Sequence, residues 1–320
     1  LDTPDVASLL DRVPGWEGRA HVVGALGGGI TNRNLLIEVR RERGDAERFV
    51  LRLPGRSTDL LEIRRDVEFE AASRAASLGI APPVAAFLQP EGCLVTKFVD
   101  GTALTPETLA TPARLADITA MLHEFHASGP LAADFDAFRV PHLHREAAES
   151  RGIAVPAGFS LAATAAETIQ KAFDVSPEPR APCHNDLLNA NFLTDAADPA
   201  RVWLLDWEYA GNNDRYFDLG NLAVNNGLDE AAREALVHCY FGSVTNRRSA
   251  RLDLMMIMSD FREAMWGVVQ QGISTLEFDY AAYSQQHFDR LLRAVSRADF
   301  AARLDAAADG SIDHVRQRPT

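Results

Sequence analysis

Apolar and polar positions alternate through the first third of the chain and change to a helical period after about residue 100. His21-Val22-Val23, Leu35-Leu36-Ile37-Glu38-Val39 and Phe49-Val50-Leu51-Arg52-Leu53 read as strands. Gly27-Gly28-Gly29 and a charged turn around Arg43-Gly44-Asp45 separate them, and Pro54-Gly55 stops the third. From Leu60 to Leu78 the spacing is helical, ending at Gly79 with Pro82-Pro83 beyond. Cys93 to Val99 is one more strand, closed by Asp100-Gly101. The later periodicity predicts helices over 107–127, 160–173, 229–241, 250–271 and 279–297, with short extended pieces at 182–193 and 202–206. The end of the chain from Gly310 is expected to fray.

A sheet-rich first third followed by a helix-rich remainder predicts an α+β fold of two lobes, residues 1–99 and 100–320, with a cleft between them. With 320 residues, 47% hydrophobic and 24% charged, the chain can bury two cores, and disorder is excluded as the default. No apolar run approaches the ~20 residues that span a bilayer, and no charged leader precedes an apolar stretch, so a soluble cytoplasmic protein without a membrane partner is expected. Cys93, Cys183 and Cys239 are far apart and odd in number, which argues against disulfides and thiolate zinc and predicts buried small hydrophobes. A net charge of −13 argues against nucleic acid and mildly favours a cationic small ligand.

Candidate chemistry concentrates in His184-Asn185-Asp186-Leu187-Leu188-Asn189-Ala190-Asn191, followed twenty residues after Asp186 by Asp206 at the end of an apolar strand. Phosphoryl transfer needs these residue types. One carboxylate accepts the proton of the attacking hydroxyl, while an amide oxygen and a second carboxylate hold Mg²⁺ against phosphates. The spacing resembles the protein-kinase catalytic loop, H-x-D-x-x-x-x-N, with Asp206 in the place of the D-F-G aspartate. That resemblance implies Asp186 as base, Asn191 and Asp206 as metal ligands, and His184 as a structural residue beneath the loop. Asn185 stands where protein kinases carry Arg, and Trp207-Glu208 follows Asp206 without the D-F-G glycine. Only eleven residues separate Asp206 from Asp218, too few for a long activation segment.

Cys183-His184-Asn185-Asp186, Leu205-Asp206-Trp207-Glu208-Tyr209-Ala210-Gly211 and Arg215-Tyr216-Phe217-Asp218-Leu219-Gly220-Asn221 together closely resemble the choline/ethanolamine kinases, relatives of the aminoglycoside phosphotransferases. The resemblance runs from about residue 25 to 298. It implies an ATP- and Mg²⁺-dependent kinase of a small cationic amino alcohol, and gives Asp218 the task of holding the catalytic-loop backbone; a helix-start aspartate is the plainer alternative. It likens Gly27, Gly28, Gly29, Thr31 and Asn32 to a phosphate-binding loop, where absent side chains let backbone N–H groups approach. Arg52 takes the place of the phosphate-binding strand cation and Glu68 that of its helix partner, with Glu70 second. Lys97-Phe98-Val99 falls where the hinge offers backbone groups to adenine.

For the acceptor, Trp266, Tyr280 and Tyr283, with Tyr209, are similar to the aromatics that surround a quaternary ammonium in those kinases. Helix packing alone would also explain such a stripe. Two positions depart from the family: Asn225 stands where it places a pocket glutamate, and Glu263 where it places a Trp. The expectation is that Glu263 has taken over as countercharge to the substrate cation, with choline, ethanolamine or a methylated intermediate as acceptor. A kinase of aminoglycosides or other hydroxyl compounds on the same fold is the alternative, and a nucleotide-binding pseudokinase a third. His142, His144, His123 and His126 lie near no matching acids or thiols in the sequence and are expected to be structural.

Overall fold

The computed structural model describes residues 5–27, 32–41, 44–55, 58–274 and 277–310. Gly28, Gly29 and Thr31 of the glycine loop, and the chain end beyond Gly310, lie outside them. The chain divides into two compact units: Leu1–Asp59 with Ile63–Leu104 and Ala190–Glu208, and Leu60–Glu62 with Thr105–Asn189 and Tyr209–Thr320.

In the first unit, α1 (Val6–Asp11) precedes a five-stranded antiparallel sheet of β1 (Ala20–Leu26), β2 (Arg33–Arg40), β3 (Ala46–Leu53), β4 (Val84–Leu88) and β5 (Cys93–Lys97), ordered β1-β2-β3-β5-β4. The period of two in β2 buries Leu35, Ile37 and Val39, which pack with Leu51 and Leu53 of β3, Cys93 and Val95 of β5, and Leu9, Leu10 and Trp16. The same alternation turns Arg52 to the other face from Leu51 and Leu53. Helix α2 (Arg65–Ser77) buries Val67, Ala71, Ala72 and Ala75 together with Glu68. Strand β4 was not expected, because Val84-Ala85-Ala86-Phe87-Leu88 shows no alternation.

A second sheet in this unit, ordered β6-β8-β9, joins β6 (Gly101–Ala103) to β8 (Phe192–Asp195) and β9 (Val202–Leu204), across about ninety residues of chain. The antiparallel register of Gly101 with Asp195 and of Phe192 with Leu204 is what draws Ala190–Glu208 into the first unit. A division at residue 99 omits that pairing, which no local pattern announces.

The second unit contains β7 (Ala181–Cys183) and β10 (Gly211–Asn213), paired antiparallel, and the helices α3 (Pro106–Leu109), α4 (Pro112–His126), α5 (Val140–Ser150), α6 (Phe159–Val175), α7 (Arg215–Asn225), α8 (Glu230–Phe241), α9 (Asn246–Ile273), α10 (Tyr280–Val295) and α11 (Phe300–Ala308). The helix expected over 107–127 is two, because Pro112 starts a new one. Helices α5, α7 and α11 escaped the periodicity; in α5 a histidine, His144, occupies an apolar-stripe position beside Val140, Ala147 and Ala148. Asp214, Asp229, Thr245 and Asp279 cap α7 to α10 at their N-termini, and Gly242, at φ 74°, ends α8. The 28-residue α9 is buried on nearly all sides, with α5, α7, α10 and α11 against it. Cys93 and Cys183 are buried, but Cys239 is exposed on the outer side of α8, contrary to expectation.

Two glycines set how closely helices reach α9. A Cβ at Gly220 would stand 2.7 Å from the Met255 carbonyl carbon and 2.8 Å from Met256 N, and one at Gly267 would meet Tyr283 and Ser284 of α10. Backbone atoms cannot step aside as side-chain ends can. Gly220→Ala is therefore expected to destabilise the protein by about 1–3 kcal/mol, measured as a lower midpoint in urea unfolding with little change in slope.

Candidate active site

In the first unit a strand cation, two helix side chains and a turn converge. Arg52 on β3 pairs with Glu68 of α2, and its Nη1 lies 2.6 Å from Asp206 Oδ1. Glu70 bonds Arg74 of its own helix at 2.6 Å, so the partner of Arg52 is Glu68. Arg65, one helical turn before Glu68, donates to Glu68 Oε2 at 2.7 Å and to Glu208 Oε2 at 3.1 Å. Asn32 completes the set: its Oδ1 accepts from Arg65 Nη2 at 3.0 Å and its Nδ2 donates to Glu208 at 2.8 Å. Arg65 and Glu208 were missed. The i, i+3 spacing of Arg65 and Glu68 on a helix and the acidic pair Asp206 and Glu208 were the signals available.

Glu68 and Glu208 are buried, whereas the Asp206 side chain is 37% exposed. Burial and the neighbouring Asp206 charge push the Glu208 carboxyl above its ordinary pKa, in spite of Arg52 and Arg65. Asp206 has φ 61°, a left-handed conformation unusual for a residue with a Cβ. Leu205 N, the residue before it, donates to Asn191 O at 2.8 Å, so the hairpin of β8 and β9 brings the two expected metal ligands together. Lys97 points outward, its Nζ 3.7 Å from Glu47, and Val99 has neither backbone group paired among the described residues. Gly27 is exposed just after β1.

In the second unit, the turn carrying Asp186 hangs on Asp218. This fully buried carboxylate accepts from His184 N at 2.9 Å through Oδ2 and from Asn185 N at 2.7 Å through Oδ1, and His126 Nε2 lies 3.0 Å from Oδ2. Asn185 is left-handed, at φ 66°. Its amide donates to the Tyr209 carbonyl at 3.0 Å and accepts from Asn213 Nδ2 at 2.8 Å, contacts that an Arg could not reproduce. Beyond it, Leu187 N donates to Asn221 Oδ1 at 2.5 Å and Asn226 Nδ2 to Leu187 O at 2.9 Å. His184 is buried beneath the turn, and its Nδ1 accepts from Asp186 N at 3.2 Å.

His126 thus does lie beside an acid and a thiol, Asp218 and Cys183, with their possible ligand atoms within 4.8 Å of one another. Its two ring nitrogens are engaged with Tyr240 Oη at 2.6 Å and with Asp218, which accounts for it without an ion.

The residues expected to line an acceptor pocket also assemble in the second unit. Trp266 Nε1 donates to Tyr209 Oη at 2.9 Å, and the Trp266 ring centroid lies 5.8 Å from that of Tyr280 and 5.6 Å from that of Tyr283. Phe278, not expected here, sits 4.9 Å from Tyr280 and is partly exposed. Glu263 does not stand free as a countercharge. Its Oε1 accepts from Arg262 Nη1 at 2.5 Å and lies 3.4 Å from Asn225 Nδ2, and its Oε2 accepts from Tyr283 Oη at 2.8 Å. Burial alone would raise the Glu263 pKa; the adjacent guanidinium, His287 and the Tyr283 hydroxyl together outweigh it and hold the pKa low. Arg262, also missed, donates from Nη1 to Asp186 Oδ1 at 3.1 Å and lies with its guanidinium carbon 4.1 Å from the Tyr209 ring centroid.

A profile described as the phosphotransferase enzyme family matches residues 22–252. The chain belongs to that family. It is 29% identical over 294 residues to ethanolamine kinase 2 of Mus musculus, covering 83% of this chain and 74% of that protein. The crystal structure of a choline/ethanolamine kinase family protein from Mesorhizobium loti superposes with a TM-score of 0.76 at 28% identity, covering 95% of this chain and 98% of the other. A LicA structure in complex with AMP shares the fold, with a TM-score of 0.69 at 22% identity over 89% and 93% of the two chains.

Within this phosphotransferase, the Asp206 and Asn191 pair fits a magnesium ion by its chemistry. Hard oxygen donors are few, one carboxylate is open to solvent, and the remaining sites are left to water and phosphate, as Mg²⁺ prefers.

Asp218 sets a pH dependence of stability. Burial would raise its pKa, but hydrogen bonds from His126 and the His184 backbone hold it below the ordinary carboxylate value. A depressed folded pKa contributes stability above the unfolded value of about 3.9, and this is lost as pH falls through the folded one. Asp218→Asn keeps the shape but supplies one acceptor for several donors. A loss of at least about 2 kcal/mol at pH 7, and a shallower decline of stability from pH 5 to 3 than in wild type, is expected in denaturant titrations.

Proposed function

We propose that the chain transfers the γ-phosphoryl group of ATP to the hydroxyl of a small amino alcohol, with Mg²⁺ held by Asn191 and Asp206. The observation that carries this reading is the placement of Asp186 on a turn whose backbone is held by a buried carboxylate, in a chain that also keeps the Arg52, Glu68 and Asp206 set. Likeness to ethanolamine kinase 2 and to the choline/ethanolamine kinase family structure supports the acceptor class.

In the proposed reaction the acceptor oxygen forms a bond to the γ-phosphorus. The bond from that phosphorus to the β,γ-bridging oxygen breaks, ADP leaves, and the acceptor proton passes to the Asp186 carboxylate. Arg52 carries positive charge to the phosphates and is kept in place by Glu68. The unpaired backbone of Val99 suits the adenine edge, and the magnesium supplies charge neutralisation of the phosphates when bound. No helix among the described residues is long and apolar enough to cross a membrane, which accords with a cytoplasmic enzyme acting on a dissolved acceptor.

Asp186→Asn should lower kcat by about 100-fold or more while nucleotide affinity stays near wild type, because a positioned base is worth about that much. Steady-state ADP release with ethanolamine or choline measures it, and more than a tenth of wild-type turnover would remove Asp186 as the base. In Asp206→Ala, calorimetric binding of ATP should lose its dependence on Mg²⁺; equal affinity with and without the mutation would place the metal elsewhere.

A further inference from the structure

We infer that Arg262 determines which amino alcohol the acceptor site takes, and that it selects one bearing a carboxylate beside the hydroxyl, a hydroxy amino acid, over choline and ethanolamine. The inference rests on the proposed phosphotransfer to an amino alcohol.

Arg262 is 1% exposed and its head is only partly satisfied. Nη1 serves Asp186 and Glu263, while Nε and Nη2 are buried with no hydrogen-bond partner among the described residues. Buried guanidinium donors left unmade are costly, and a planar fork is the group best matched to a carboxylate. The location follows from the base. Arg262 Nη1 is 3.1 Å from Asp186 Oδ1, so an acceptor whose hydroxyl reaches Asp186 brings its neighbouring atoms to the guanidinium.

The same geometry works against a quaternary ammonium. The face of Tyr209 is already covered by the protein's own cation at 4.1 Å, and both oxygens of Glu263 are engaged. Choline would meet a fixed like charge where it needs an aromatic face or an anion. A zwitterion fits both halves: its carboxylate faces the Arg262 fork and its ammonium the aromatic cluster of Trp266, Tyr280 and Phe278, of which Phe278 is exposed. A second unsatisfied group stands in the same region of the unit. His144 on α5 is fully buried with neither ring nitrogen bonded. Burial, and then the Arg262 charge, depress its pKa to about 3, so it stays neutral and able to accept or donate.

The test uses the intact protein with Mg-ATP and four acceptors: ethanolamine, choline, L-serine and L-homoserine, followed by ADP release and phosphorus NMR of the product. For one of the two hydroxy amino acids kcat/KM should exceed that for choline by about tenfold or more, since one charge-assisted pair is worth at least that. Arg262→Met should shift the ratio toward choline by about 30-fold or more, mainly through KM, and Arg262→Lys, which keeps the charge and loses the fork, should fall between. Should Arg262→Met fail to fold, the wild-type ratio still decides. Faster use of choline or ethanolamine than of both amino acids by the wild type would overturn the selection by Arg262 and leave the kinase reading standing. Phosphorylation of none of the four would overturn that reading as well.

Discussion

The hydrogen bonds from His184 N and Asn185 N to the buried Asp218 carboxylate fix the turn on which Asp186 stands. A left-handed Asn185 is strained, and so is a carboxylate with no access to water; each is tolerable because the other is there. His126 on α4 and Tyr240 on α8 extend the chain of hydrogen bonds from Asp218 on α7, so three helices serve one peptide turn. Such a network rigidifies when every member is satisfied. The gain is that the position of the Asp186 carboxylate does not depend on the exposed part of its own loop.

Charge is concentrated in each unit, and in each the buried charges stand in pairs. In the first, Arg52 and Arg65 stand among Glu68, Glu208 and Asp206, with Asn32 as a neutral link. In the second, Arg262 stands between Asp186 and Glu263. Buried pairs of this kind contribute little net stability against an apolar replacement, and breaking one leaves an unpaired charge behind. Under the proposed function these charges would face phosphate in one unit and an acceptor in the other, which gives a reason for their retention. The left-handed backbone of Asp206 belongs to the same account, since strained residues concentrate where a side chain must be aimed.

The local pattern alone determined a good deal. Alternation marked β2, β3 and β5 and placed Arg52 opposite the core residues of its strand; helical spacing marked α6, α8, α9 and α10 closely and, with Gly79, the end of α2, which begins five residues later than expected. The spacing of His184, Asp186, Asn191 and Asp206 marked the turn and the hairpin on which the expected residues stand, and within the first unit the hairpin brings the backbones of Leu205 and Asn191 together. The α+β class followed from the change in period.

Tertiary structure decided what depends on contacts between distant segments. The pairing of β6 with β8 moved Ala190–Glu208 into the first unit, and backbone hydrogen bonding has no sequence signature. Glu263 looked like a free anion because its neighbour Arg262 points about 100° away on an ideal helix. On a helix buried on nearly every side, however, both side chains turn into the interior and find each other there, with Tyr283 arriving from α10 across the close contact that Gly267 permits. Residue type and spacing therefore pointed to the proposed chemistry, whereas the partners of each buried charge were set by packing, because a buried ion keeps only the partners that the fold brings to it.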